Sequence, residues 1–350
     1  MKFKILAALC FLTLHLSAAD VSLRAKASQM VMVGFNGTST KDASVRAMLS
    51  DVGYERFGGV VLLGRNVKDK AQLRALTKAI KDKNPKIFIA IDEEGGNVTR
   101  MKDASFGGPY PSAKEVAATL DIKQAAEIYE QMADELKQSG INVDLAPVVD
   151  LHDEASPIIG AKERAFSENA SKVIFYANAF MDAFKRDGII TALKHFPGHG
   201  GSKEDSHKSK SEVVLTKEAL LPYRDAISTN RAKLIMVGHL YVKELDEANP
   251  ATLSKKIIGD LLRGEFKYDG VVISDDMLMK GAGDGPLKEK IIKFINAGGD
   301  ILLFSEFKIG ERRTAELVVQ YILDAVNEKK ISKERIDESY KRIMALKAAL

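Results

Sequence analysis

Eight short apolar runs recur along this chain, and stretches of helical periodicity separate them. The runs are "MVMVGF" (30–35), "GGVVLL" (58–63), "IFIAI" (87–91), "NVDLA" (142–146), "IITALK" (189–194), "LIMVG" (234–238), "GVVIS" (270–274) and "ILLF" (301–304). Between them lie amphipathic segments such as "DIKQAAEIYEQMADELKQSG", whose apolar positions fall three and four residues apart and which stops at Gly140. "ENASKVIFYANAFMDAFKRDG" and "LKEKIIKFINAGG" repeat the pattern. Strands that alternate with helices run parallel, because each return crossing is made by a helix. Eight such units in 350 residues, 45% of them hydrophobic, predict a single (β/α)8 barrel of the TIM type. The alternative is an open doubly wound sheet, and the GxGxxG turn that often follows its first strand is absent here.

A barrel of this kind carries its chemistry just after its strands, at the C-terminal face. The sequence obeys that asymmetry. "DEEGGNVTR" follows the third run, "HFPGHGGSKEDSH" the fifth, His239 the sixth and "DDMLM" the seventh. The stretch "KHFPGHGGSKEDSH" (194–207) holds three of the six histidines of the chain. His195 and His199 are four apart, but Pro197 and Gly198 between them oppose the helix that would aim both at a zinc ion. Asp205 and His207 are two apart, so in an extended segment they would share a side, the carboxylate orienting the imidazole as a general acid and base. A surface turn with a chance Asp–His pair fits those two residues equally well. Lys194 and His195 end the fifth strand, where side chains enter a barrel mouth. Pro197, Gly198 and Gly200 would shape a loop backbone able to approach a ligand closely. Asp275 ends the seventh strand and would project into the same mouth, where a carboxylate can act as a nucleophile. Asp276 suits the cap of the next segment.

The first residues, "MKFKILAALCFLTLHLSAAD", have the layout of a secretory signal peptide: two lysines, an apolar run, then small residues up to Ala19. Cleavage there would leave a catalytic domain over 20–350, periplasmic or secreted rather than cytoplasmic. The apolar run is too short for a stable membrane span. The only cysteine, Cys10, lies inside it, so the mature chain is expected to hold no disulfide and no thiol nucleophile. The net charge of +4 is spread along lysine-rich pieces such as "KAIKDKNPK" and "LSKKIIGD" that read as solvated helix faces. No basic patch interleaved with aromatics is present, so no nucleic-acid partner is expected.

Taken together, "IDEEGGNVTR" (91–100), "INVDLAPVVDL" (141–151), "KHFPGHGGSKEDSH" (194–207), "NPATLS" (249–254) and "YDGVVISDDM" (268–277) make a specific combination. The chain resembles the family-three glycoside hydrolases, and within them the bacterial β-N-acetylglucosaminidases of cell-wall turnover. The motifs occur in the family's order and extend over most of the chain.

The resemblance implies a role for each matching position. Asp275 stands where the family has its nucleophile, His207 where it has its general acid/base, and Asp205 where a carboxylate orients that histidine. Asp92, Arg100, Lys194 and His195 match sugar-binding positions, and Arg164 matches another, although "IGAKERAFSEN" departs from the family's usual "IGDRSF". Glu93 replaces a usual glutamine and Asn97 a usual arginine. Larger β-glucosidases of the family take their acid from a second domain; here one barrel fills the length, and the "DSH" loop would supply it. The implied reaction is retaining, exo-acting removal of terminal N-acetylglucosamine from peptidoglycan fragments, through a glycosyl-aspartate, by a monomer without metal or cofactor. A β-glucosidase or β-xylosidase on the same barrel, or a non-catalytic sugar-binding protein, are the alternatives. Tryptophan is absent, and Phe106, Tyr110 and Phe166 are candidates either for sugar stacking or for the core.

Overall fold

The computed structural model describes residues 21–206 and 209–350. The proposed leader, residues 1–19, and His207 therefore lie outside the described residues. Eight parallel strands form the centre: β1 (Val31–Val33), β2 (Gly59–Leu62), β3 (Phe88–Ile91), β4 (Val143–Asp144), β5 (Ile190–Phe196), β6 (Leu234–Val237), β7 (Val271–Ser274) and β8 (Leu302–Phe304). They pair in chain order, and β8 returns to β1 through Val31 opposite Leu302. The ring closes between β7 and β8, where Ile301 N donates to Val272 O (3.0 Å) and Ser274 N to Ile301 O (2.9 Å). All eight predicted runs are barrel strands, and the (β/α)8 expectation holds.

Helices wrap the outside. They are α1 (Leu23–Gln29), α2 (Ala43–Gly53), α3 (Lys70–Lys83), α4 (Ala113–Thr119), α5 (Ile122–Gln138), α6 (Ala170–Arg186), α7 (Lys217–Ser228), α8 (Leu287–Ala297), α9 (Thr314–Asn327) and α10 (Lys333–Lys347). Their starts are chemically marked. Asp121 accepts from Lys123 N and Gln124 N at the head of α5, while Gln124 Oε1 accepts from Asp121 N, a reciprocal cap. At the other end Gly140, with φ +77°, takes the left-handed turn, and a Cβ there would lie 2.5 Å from Thr77 Oγ1. The segment Lys255–Glu265, which contains most of "LSKKIIGD", winds wider than an α-helix; its lysines are exposed and Ile257, Ile258 and Leu262 are buried. Among the described residues no helix is long and apolar enough to cross a membrane.

At the N-terminal end of the barrel, α10 is fastened by an unusual buried amine. Lys347 Nζ donates to Gln29 Oε1 (2.8 Å) and to Gly58 O (2.7 Å), and the residue is 3% exposed. Burial pushes this lysine down to about 7. Above that pH the folded chain holds a neutral amine, while the unfolded chain stays protonated up to the ordinary lysine value. The unfolded state then binds more protons, so stability rises with pH from about 7 to about 10, by up to about 1.4 kcal/mol per unit. Lys347→Met is expected to flatten that rise, as urea unfolding at pH 7.5 and 9.5 would read; an unchanged slope would assign the pH dependence elsewhere.

Candidate active site

A cavity of about 540 Å³ opens at the C-terminal ends of the strands. It is lined by Asp92, Arg100, Arg164, Lys194, His195, His199, Ser206, Asp275 and Asp276 among others. Its size falls in the range of small-molecule sites. Every described site residue expected from the sequence except Asp205 lies on its wall.

One side of the wall is a charged network. Asp92 follows β3, and its two oxygens accept from Lys194 Nζ (2.8 Å) and Arg100 Nη2 (3.2 Å). Lys194 also meets Glu94 Oε1 at 2.6 Å, and Arg164 holds Glu94 in a fork, Nε to Oε2 and Nη2 to Oε1, both at 2.8 Å. Burial opposes charge on Lys194, yet Asp92 and Glu94 outweigh it and hold the ammonium above its ordinary value. Burial likewise opposes ionisation of Asp92 and of Glu94; Lys194 with Arg100, and Arg164 with Lys194, reverse the balance and keep both carboxyls below the usual range. The charges therefore stay on, locked in place and pre-oriented toward the cavity.

His195 is placed by a partner the sequence reading did not single out. Asp150 Oδ2 lies 2.8 Å from His195 Nδ1, and Asp150 also accepts from the backbone N of His195 and of His199. Arg164 Nη2, which can only donate, lies 3.3 Å from His195 Nε2. The hydrogen bonds thus assign the proton to Nδ1 and make Nε2 an acceptor. Both ring nitrogens are engaged by the protein, which disfavours the metal reading of His195 and His199. Among the described residues no group of three His, Cys, Asp or Glu is arranged to hold a metal ion. The Lys194–His195 peptide is cis, and both side chains line the cavity.

Across the cavity stands the end of β7. Asp275 N donates to Val237 O (3.1 Å), and Asp275 Oδ1 accepts from Asp276 N (2.8 Å). Asp276 does not cap a helix, since the short helical turn Lys280–Ala282 begins after Met279; instead its Oδ1 accepts from Leu278 N, two residues on, and from Ser305 N, both at 3.1 Å, fixing the turn after β7. Behind them His239, wholly buried, bonds Asp276 O through Nε2 (2.9 Å) and Thr252 Oγ1 through Nδ1 (2.8 Å), so that "NPATLS" supports the turn after β7 from outside the cavity wall.

The loop after β5 differs from the sequence expectation in one respect. The carbonyl of Asp205 accepts from Ser209 N (2.9 Å), an i→i+4 closure, where an extended segment was expected. Strand alternation therefore does not govern which way Asp205 faces. Asp205 is engaged in an interaction of its own. The aromatic candidates resolve to the core: Phe106, Tyr110 and Phe166 are all buried, outside the cavity wall, and Phe166 stacks on Tyr176 at 5.9 Å.

Of the two departures, Glu93 lies behind the cavity wall and Asn97 lines the cavity. Glu93 is buried, its Oε2 accepts from Arg100 N (2.8 Å) and Met101 N (3.2 Å), and burial raises its carboxyl above the ordinary value. Asn97 Nδ2 donates to Lys162 O (3.1 Å), tying the loop that carries Arg164. A second cavity, of about 690 Å³, opens at the opposite end of the barrel among the strand starts and α10 and contains none of these residues.

The family model described as the glycosyl hydrolase family 3 N-terminal domain matches residues 22–346. The chain belongs to glycosyl hydrolase family 3. Among family members, a β-hexosaminidase of Tolumonas auensis is 36% identical over 278 residues, covering 77% of this chain and 80% of that protein. The β-hexosaminidase LpqI of Mycobacterium tuberculosis is 31% identical across 94% of this chain and 84% of its own. Of solved structures, the β-N-acetylhexosaminidase of Beutenbergia cavernae superposes with a TM-score of 0.83 at 29% identity, over 94% of this chain and 99% of that one. A family 3 β-N-acetylglucosaminidase from Paenibacillus gives 0.84 at 31% identity over 94% of this chain, which spans 62% of the length of that structure. Asp275 and the charged residues Asp92, Arg100, Arg164 and Lys194 line one and the same cavity of this family 3 barrel.

Proposed function

We propose that this protein is a retaining exo-β-N-acetylglucosaminidase that removes terminal N-acetylglucosamine from the non-reducing ends of peptidoglycan fragments. The observation that carries this reading is the placement of Asp275 at the end of β7, facing the Asp92–Lys194–Glu94–Arg164–His195 network across one cavity. The network offers charged donors and acceptors to sugar hydroxyls, and its members are fixed by one another before a ligand arrives. Asp275 attacks the anomeric carbon while His207, as imidazolium, passes its proton to the leaving oxygen. The C1–O bond breaks and a glycosyl-aspartate forms. Neutral His207 then takes a proton from water, which attacks the same carbon and frees Asp275 with configuration retained. The usual second carboxyl is thus replaced by a histidine that Asp205 orients. The names of the relatives, β-hexosaminidase and β-N-acetylglucosaminidase, support the 2-acetamido sugar, and the leader-like N-terminus supports action outside the cytoplasm.

The test is hydrolysis of 4-nitrophenyl glycosides by the chain without residues 1–19. The N-acetyl-β-glucosaminide is expected to exceed the glucoside and xyloside in kcat/KM by at least about 100-fold, because a site that pairs an amide rejects analogues lacking it. Preference for the glucoside would move the substrate assignment to the β-glucosidase alternative. Binding without turnover of any of them would make the protein a sugar-binding module.

A further inference from the structure

The helix α10 lies across the N-terminal end of the barrel and closes only part of it. Lys347 reaches Gln29 and Gly58, just before β1 and β2, while Arg342 and Arg335 reach Asp269 and Asp300, just before β7 and β8. Beside α10 the starts of β5 and β6 stay open. The cavity of about 690 Å³ lies there, within the size range of small-molecule sites. Its apolar lining is aliphatic: Met181, Ile189, Ile190, Val271 and Leu346 form a buried floor, and among the described residues no aromatic ring lines it. Three acids line it too, and each has a cation. Asp182 is forked by Arg231 (both bonds 3.0 Å), Asp269 meets Arg342 Nε (3.3 Å) and Glu338 meets Arg335 Nη1 (3.5 Å). Lys185, Lys233 and Lys341 stand exposed at the rim, and among the described residues none of them meets a carboxylate; Lys233 Nζ donates to the neutral amide of Asn230 (2.6 Å).

We propose that this cavity binds a fatty carboxylate, an unbranched acyl chain with one anionic end. The aliphatic floor takes the chain, and the ammonium groups of Lys185, Lys233 and Lys341 take the head. Lysine carries its charge on an aliphatic stem, so the side chains that hold the head also extend the apolar wall. Charge complementarity selects the anion: the lining acids are already neutralised by arginines, and three positive charges remain around an apolar floor. Other occupants fit less well. A nucleobase or a sugar ring needs an aromatic face to stack on, and none lines the cavity. An extended peptide needs free backbone groups, but Ile190 N donates to Asn142 O (3.0 Å) and Val271 N to Lys233 O (3.1 Å), in a barrel that has no open edge. The apolar run at residues 5–16 of this same chain follows Lys2 and Lys4, which the lysine rim would repel. The cavity lies at the opposite end of the barrel from Asp275, so acyl binding and turnover are separate readouts.

Calorimetric titration of the full-length chain with dodecanoate, butanoate and dodecyltrimethylammonium, each below its critical micelle concentration and at low salt, tests this. Dodecanoate is expected to bind at least about 100-fold more tightly than butanoate, because the longer chain removes more methylenes from water. It should also bind at least about 10-fold more tightly than the dodecyl cation, which the rim repels. The double substitution Lys185→Glu with Lys341→Glu should weaken dodecanoate by at least about 10-fold through charge alone. Ala345→Trp, which sets a ring into the cavity from α10, should weaken it as much without changing any charge. All three positions are exposed, so the variants are expected to keep the parent's thermal unfolding midpoint. Equal binding of the two dodecyl compounds, or dodecanoate binding that neither variant weakens, would place the acyl chain elsewhere on the protein and overturn the proposal. So would the absence of dodecanoate binding.

Discussion

Asp275→Asn is expected to lower kcat on an aryl N-acetyl-β-glucosaminide by about 10⁴-fold, the scale on which removal of a single catalytic group acts. An amide oxygen is a poor nucleophile toward carbon, so the covalent step loses its attacking group. The substitution leaves the local structure intact, because the Asn oxygen can still accept from Asp276 N and the backbone N still donates to Val237 O. Asp276 cannot take over. Its Oδ1 is committed to Leu278 N and Ser305 N, and burial raises its carboxyl above the ordinary value. The check is steady-state turnover together with mass analysis of the parent after a slow fluorinated substrate, which should leave a sugar on the peptide containing Asp275. Activity within about 10-fold of the parent, or an adduct on another peptide, would move the nucleophile elsewhere.

The largest effect on stability is expected far from this site. Asp300, wholly buried at the start of β8, accepts from Arg263 Nη2 (2.6 Å), Arg335 Nη2 (3.1 Å), Arg342 Nη1 (3.4 Å), Ser339 Oγ (2.7 Å) and Val272 N (2.9 Å). One carboxylate thus joins α10 and the Lys255–Glu265 helix to the seam where β7 meets β8. Asp300→Ala leaves guanidinium groups in a poorly solvated setting with no counter-charge, and should destabilise the fold by about 3–5 kcal/mol. The arginines keep carbonyl partners, Arg263 at Tyr268 and Gly270 and Arg335 at Ile295 and Gly299, and these oppose the loss. If those bonds suffice, urea unfolding will show a loss of less than about 1 kcal/mol, within the range of an ordinary surface change. Activity per folded molecule should be unaffected in either case, because Asp300 lies at the end of the barrel opposite the site.

The two predictions show different degrees of legibility in the chain. Asp275 could be read directly: an apolar run ends, an acid follows, and parallel topology sends it to the mouth. The same holds for Asp92, Lys194 and His195. Asp300 carried no such signal, since an acid before an apolar run has no chemical pattern until three arginines from distant segments converge on it. Glu94 and Asp150 lay inside motifs already noticed, "IDEEGG" and "APVVDL", yet nothing local distinguished them from neighbouring acids. Glu94 acquires its role from Arg164, 70 residues away, and Asp150 from His195, 45 residues away. The loop at 205–209 failed in the other direction. A two-residue spacing suggested extended chain, and a backbone bond from Ser209 to Asp205 closes it instead.

By itself the sequence determined the alternation of strand and helix, hence the barrel, and which residues stand just past each strand. These follow from short-range physics: periodic burial, caps, glycine stops and the handedness of parallel crossings. Only the tertiary structure decided which of those residues touch, in what protonation state, and around what cavity. Ring closure and strand register bring side chains from distant parts of the chain within hydrogen-bonding distance of one another. At that range burial and partner charge, not residue type, set what each group can do.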